Sequence, residues 1–158
     1  MNTSAFTRRN LLQGMLAVAA VSAAPAIAQG TPKMQVLKDP SCGCCGSWVK
    51  IMKRSGFDVS VQETTNEKLF RHKLKSGITE ELASCHTASI EGYLIEGHVP
   101  PSDVKRLLAE RPDALGLSVP GMPWGSPGMG PESERDAYDV ILFYKDGTTE
   151  VFARYEAA

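Results

Sequence analysis

Apolar and polar positions alternate in two distinct rhythms along this chain, and the rhythm changes at residues that break regular structure. Met34-Gln35-Val36-Leu37-Lys38 reads as a short strand that stops at Asp39-Pro40-Ser41. A helix is predicted next: Trp48, Val49, Ile51 and Met52 gather on one helical side, Lys50, Lys53 and Arg54 lie elsewhere, and Gly56 ends it after a basic last turn. From Phe57 to Thr64 the period is two, with Phe57, Val59 and Val61 set against Asp58, Ser60 and Gln62, which predicts a half-buried strand. Asn66 is placed to cap a second helix over Glu67 to Lys75, carrying Leu69, Phe70 and Leu74 and closed by Gly77. Cys85 to Ile90 and Tyr93 to Glu96, parted by Glu91-Gly92, predict a hairpin. A third helix follows from Pro101, with Val104, Leu107 and Leu108 buried, and ends at Arg111-Pro112.

Strand, helix, strand, helix, hairpin, helix is the element order of a thioredoxin-like α/β domain, a central mixed sheet with flanking helices. Leu115 to Pro131 is rich in Gly, Pro and Met and predicts a long irregular loop of the kind that is more often functional than idle. Tyr138 to Tyr144 and Thr148 to Tyr155 flank Asp146-Gly147 and predict a C-terminal β-hairpin added to that domain.

The start of the chain belongs to a different category. Arg8-Arg9, the uncharged run Leu11 to Ala24 and the small residues of Pro25-Ala26-Ile27-Ala28 have the three parts of an export signal, cut after Ala28. The alternative, a membrane anchor, is opposed by the shortness of the run and by Gln13, Gly14, Ser22 and Pro25 within it. Thr7 to Gln13 resembles a twin-arginine signal, with Leu11 where Phe is usual and Gln13 where Lys is frequent. The expected division is a signal peptide at 1–28, a linker at 29–33 and one domain at 34–156, with no membrane anchor left after cleavage. Loss of Arg8 and Arg9 from 17 basic and 18 acidic side chains leaves an acidic excess, which argues against a nucleic acid partner.

Cysteine changes the picture most. All 4 lie between positions 42 and 85, three of them packed into Cys42-Gly43-Cys44-Cys45 at a predicted helix start and the fourth at Cys85. Cys42 and Cys45 have the spacing of a redox pair, and the dipole of the following helix favours their thiolates. Cys44 is out of place in a simple pair, because a neighbouring thiol scrambles such a disulfide. In a thioredoxin-like frame Cys85 arrives opposite the helix start, so four thiolates converge. Zinc sites usually take their ligands as two well-separated pairs, whereas crowded, bridging thiolates suit several soft Cu(I) ions. Three other uses stay open: two structural disulfides in an oxidising compartment, an iron–sulfur cluster, and thiol–disulfide exchange by Cys42 and Cys45.

Lys38 to Cys45, Cys85-His86-Thr87, Glu91-Gly92-Tyr93, Glu96 to Pro100, Gly121-Met122-Pro123 and Gly125 to Met129 together resemble the CopG-type copper-resistance proteins, small proteins of the periplasm. The resemblance runs over nearly all of Met34 to Tyr155. It implies a thioredoxin-like fold, a periplasmic location, copper on Cys42, Cys44, Cys45 and Cys85, and work beside copper efflux or oxidase components. It leaves open whether copper is held and passed on or cycled between Cu(I) and Cu(II) by a copper-dependent oxidoreductase.

Around the cysteines, His86 is either a neutral imidazole ligand or, if Cys85 already belongs to an extended strand, a side chain on the opposite face. His98 stands behind it as a candidate, and His72 reads as solvated. Met122 and Met129 offer soft thioethers to Cu(I) or serve as flexible filler under a loop. Met52 falls at core spacing, Trp124 reads as a packing aromatic, and Lys50, Lys53 and Arg54 form a solvated helix end.

Overall fold

The structure, a computed structural model, describes residues 30–158; the expected signal peptide lies outside the described residues. Seven strands, β1 (Lys33–Lys38), β2 (Asp58–Glu63), β3 (His86–Ile90), β4 (Tyr93–Glu96), β5 (Gly116–Ser118), β6 (Tyr138–Phe143) and β7 (Thr149–Tyr155), form one mixed sheet. Their order across it is β2-β1-β3-β4-β5-β6-β7. β1 runs parallel to β2 and antiparallel to β3; β4 runs parallel to β5; the remaining pairs are antiparallel. The helices are α1 (Gly43–Arg54), α2 (Asn66–Lys75) and α3 (Pro101–Glu110). Among the described residues no helix is long and apolar enough to cross a membrane.

The main core joins Met34 and Val36 of β1, Ala88 and Ile90 of β3 and Ile95 of β4 to Trp48, Val49 and Met52 of α1 and Val104 and Leu107 of α3. Met34 and Val36 of β1 and Ala88 and Ile90 of β3 alternate onto one apolar face, and α1 and α3 cover it. Trp48 is fully buried, and its indole N–H donates to the Val99 carbonyl at 2.9 Å, so the ring's one polar atom is satisfied. On the other face α2 meets β3 through Lys73, which donates to Thr87 Oγ1 at 2.9 Å.

Three expectations need correction. The cap of α2 is Thr65, whose hydroxyl accepts from the Lys68 amide, and Asn66 is already helical. α2 does not bury a Leu69-Phe70-Leu74 face: Phe70 is 40% and Leu74 49% exposed, and the helix buries Leu69 and Lys73, four apart, because Lys73 has a buried anionic partner. The Gly/Pro/Met segment also contains a strand. β5 is wholly buried and three residues long, so it shows no alternation, and a Cβ on Gly116 would strike the Leu94 backbone. This strand stitches the C-terminal hairpin to the rest of the sheet.

Candidate metal centre

Cys42 is the residue at which β1 and its Asp39-Pro40-Ser41 turn hand over to α1. Asp39 shapes that turn by accepting from the Ser41 amide at 2.9 Å, and Cys42 Sγ caps the helix by accepting from the Cys45 amide at 3.4 Å. One helical turn then returns Cys45 to Cys42, their Cα atoms 5.4 Å apart, and the two are joined as a disulfide. Cys44 and Cys85 are free thiols. Cys44 Sγ lies 3.5 Å from Cys42 Sγ and 3.9 Å from Cys85 Sγ, and Cys45 Sγ lies 3.7 Å from the Cys85 carbonyl.

All four sulfurs lie within 4.8 Å of one another. With metal–sulfur bonds of about 2.3 Å, two thiolates on one tetrahedral ion stand about 3.8 Å apart, close to the 3.5 and 3.9 Å that separate Cys44 from Cys42 and Cys85, so the spacing fits shared metal once the disulfide is opened. The donors are soft, as a thiophilic ion requires. Burial pushes the Cys85 thiol up to about 12, and the adjoining Cys44 adds to the effect. In the metal-free protein Cys85 is therefore a neutral thiol, and a metal ion that binds its sulfur must displace that proton to solvent.

The two histidines stand differently from their sequence ranking. Cys85 lies in a bend immediately before β3, so strand alternation does not separate it from His86, and His86 Nδ1 comes to 3.4 Å from Cys85 Sγ. His98, ranked behind His86 from sequence, brings Nε2 to 3.0 Å from the same sulfur while its Nδ1 is held at 2.8 Å from the Pro127 carbonyl. Both rings are buried, and burial holds both imidazoles below their ordinary range; for His86 the neighbouring His98, Lys73 and Lys38 charges push further the same way. His86 packs on Trp48 with ring centroids 4.5 Å apart.

The loop after β5 wraps this centre. Gly128 sits at φ +92 where a Cβ would lie 2.8 Å from the Trp48 amide and 3.0 Å from the Cys44 carbonyl, so only glycine lets the loop lie against the start of α1. Met129 follows it directly and is half-buried. Met122 is 55% exposed, next to Gly121, which bridges to Ser84. Trp124 is partly exposed and donates to Glu134 Oε2 at 3.1 Å, and His72 is exposed.

Sequence reasoning passed over one pair with a direct bearing on the site. Lys73 and Glu96, 4% and 0% exposed, form a buried ion pair. Glu96 also accepts from the Ser84 amide at 2.7 Å and from Thr87 Oγ1 at 2.6 Å, so its carboxylate holds the backbone before Cys85 and a side chain of β3 after it. Burial raises the Glu96 carboxyl above its ordinary range, against the opposing pull of Lys73. The available signal was a lone acid ending the apolar run Tyr93-Leu94-Ile95. A cleft of about 380 Å³ is bordered by Ser41, Cys42, Phe70, Lys73 and Cys85, two of the four cysteines among them.

Comparison with known proteins agrees with this layout. A family model described as "Protein of unknown function, DUF411" matches residues 82–129, the stretch from before Cys85 through the wrapping loop. No curated protein matches. Two solved structures, Form 1 and Form 2 of a copper resistance protein CopG, are each 38% identical, with a TM-score of 0.73 over 79% of this chain and 98% of theirs. At that identity over nearly the whole of the relative, this chain belongs to the CopG copper resistance protein family.

Proposed function

We propose that the protein is an exported copper-binding protein of copper resistance that holds more than one Cu(I) on the thiolates of Cys42, Cys44, Cys45 and Cys85. The observation that carries this reading is the convergence within 4.8 Å of four sulfurs from two segments 40 residues apart. The name of the relatives supports copper as the metal, and a dense set of soft donors supports the cuprous state. The disulfide is the uncharged store of two of these ligands: a thiol reductant delivers two electrons and two protons, the S–S bond becomes two thiols, and each thiol releases its proton as it binds metal. In the reducing direction the same pair closes to the disulfide, releasing two protons and supplying two electrons, which reduce two Cu(II) to two Cu(I). Met122 and Met129, carried by the wrapping loop, are assigned as outer thioether contacts for copper entering or leaving.

The fold supports the same reading. We assign β1 to β4 with α1 to α3 to a thioredoxin-like core, on the order β2-β1-β3-β4 and a cysteine pair at the start of α1. The segment 1–28 is assigned as the signal that delivers this domain to the periplasm, beside copper efflux or oxidase components. The test is a Cu(I) titration of the fully reduced domain against a chromophoric chelator. More than one ion per chain is expected, with a sharp drop in Cys44→Ser; an undiminished count in that variant would falsify the four-thiolate site.

The Cys42–Cys45 disulfide, with Cys42 opening onto the cleft, favours one second reading: thiol–disulfide exchange with other exported proteins. It requires metal-free turnover of a small-molecule disulfide that disappears in Cys42→Ser and persists in Cys44→Ser.

A further inference from the structure

We infer that Cys85, His86 and His98 form a second, one-ion copper position of one thiolate and two imidazoles, which shares the Cys85 sulfur and stays complete while Cys42 and Cys45 are joined. The inference rests on the copper reading above and deepens it, by naming the donors that keep metal when half of the four-sulfur group is oxidised.

The geometry is the first support. Cys85 Sγ lies 3.0 Å from His98 Nε2 and 3.4 Å from His86 Nδ1, and the three donor atoms lie within 4.8 Å of one another. Ligands bonded to one ion at about 2.3 Å for sulfur and about 2.0 Å for nitrogen stand at about this separation. Without metal the same contacts are one S–H donated to His98 Nε2 and one His86 N–H accepted by the sulfur, so both rings are already aimed at the Cys85 sulfur.

The second support is the tautomer of His98. Nδ1 lies 2.8 Å from the Pro127 carbonyl, which can only accept, so Nδ1 carries the proton and Nε2 presents a bare lone pair toward Cys85. A ring whose far N–H is fixed by a backbone carbonyl is the usual arrangement of a metal-binding histidine. The Gly128 close approach holds the adjoining Pro127 in place, so the wrapping loop sets this ligand although it supplies none of the three donors.

The third support is His86. Its ring is fully buried, and among the described residues Nε2 has no hydrogen-bond partner while Nδ1 lies 3.4 Å from the Cys85 sulfur. Buried polar groups are nearly always paired, and a ring left with one unused nitrogen has its other nitrogen committed to that sulfur or to what the sulfur binds. Cys44, 3.9 Å from Cys85, belongs to the other group, and a bridging Cys85 thiolate links the two positions. One sulfur with two imidazoles is less soft than four thiolates and accepts copper in either oxidation state.

The experiment compares the disulfide-intact and the fully reduced protein, the state checked by intact mass, with Cu(I) kept reduced by ascorbate and competed by a chromophoric chelator. The disulfide form is expected to bind one copper ion, with nitrogen and sulfur neighbours in its X-ray absorption. Cys44→Ser in that form keeps the ion, and His98→Asn weakens binding at least about tenfold. The inference is overturned if the disulfide form binds no copper, if its ion has sulfur neighbours only, or if Cys44→Ser releases it. A reduced protein that binds one ion, lost in His98→Asn, supports this position and overturns the four-thiolate reading instead.

Discussion

The two cysteine segments reach one place by opposite means. Cys42-Gly43-Cys44-Cys45 is organised locally: a three-residue turn, a helix start and one helical turn fix its sulfurs, and its supporting hydrogen bonds span two or three residues. Cys85 is organised at long range. The backbone before it is held by Glu96 from β4, that carboxylate is paired with Lys73 from α2, and the Cys85 sulfur faces His98, itself oriented by the loop after β5. The first segment holds two of its sulfurs as a disulfide, and the second has a burial that keeps its thiol protonated. A segment built locally can open, oxidise and reclose without disturbing the fold, whereas the second acts as the fixed anchor against which it moves.

The sharpest way to break this contrast is to remove the principal acceptor of each support. Glu96→Gln leaves the Lys73 ammonium buried without its counter-charge and is expected to cost about 3–5 kcal/mol of stability in urea unfolding. Asp39→Asn loosens chiefly the exposed Ser41 turn and is expected to cost much less than Glu96→Gln. Equal losses at the two positions would remove the distinction between local and long-range support.

Acidification should also act on the second segment alone. The folded protein holds His86 and His98 neutral with pKa values below the ordinary 6.5, so the unfolded chain takes up protons first. Stability is therefore complete above about pH 6.5 and is lost as pH falls below it, more through His86 than through His98. The groups facing these rings are Cys85, the other imidazole and, for His86, the Lys73 and Lys38 charges. Metal-free protein followed by urea unfolding over that fall in pH should show the slope, and His98→Asn should reduce it. A flat profile would show that the rings are already charged in the fold.

This division also explains what could be read from the sequence. The helix start, the two helical turns after it and the hairpin were legible because period and punctuation are local signals, and the crowding of Cys42, Cys44 and Cys45 is itself a sequence fact. β5 was not legible, since three buried residues carry no alternation. Lys73 was hidden because a lysine on a helix is normally solvated, and only the fold brings Glu96 to it. His98 was ranked low for the same reason: its 3.0 Å approach to Cys85 depends on Pro127, 29 residues further along the chain.

The smallest expected effect sharpens the local half of the comparison. In reduced protein, Cys42 serves α1 only as a cap, through a sulfur that accepts weakly from the Cys45 amide at 3.4 Å. Serine is among the best capping residues and its hydroxyl is a stronger acceptor at that position. Cys42→Ser, compared with wild type under reducing, metal-free conditions so that no disulfide contributes to either, should leave stability unchanged or raise it by up to about 1 kcal/mol. The measurement is the shift in urea midpoint at unchanged m-value. A loss of more than about 1 kcal/mol would mean that the Cys42 sulfur is packed into the fold like Cys45, and the picture of a first segment free to change its bonding without disturbing the domain would fail.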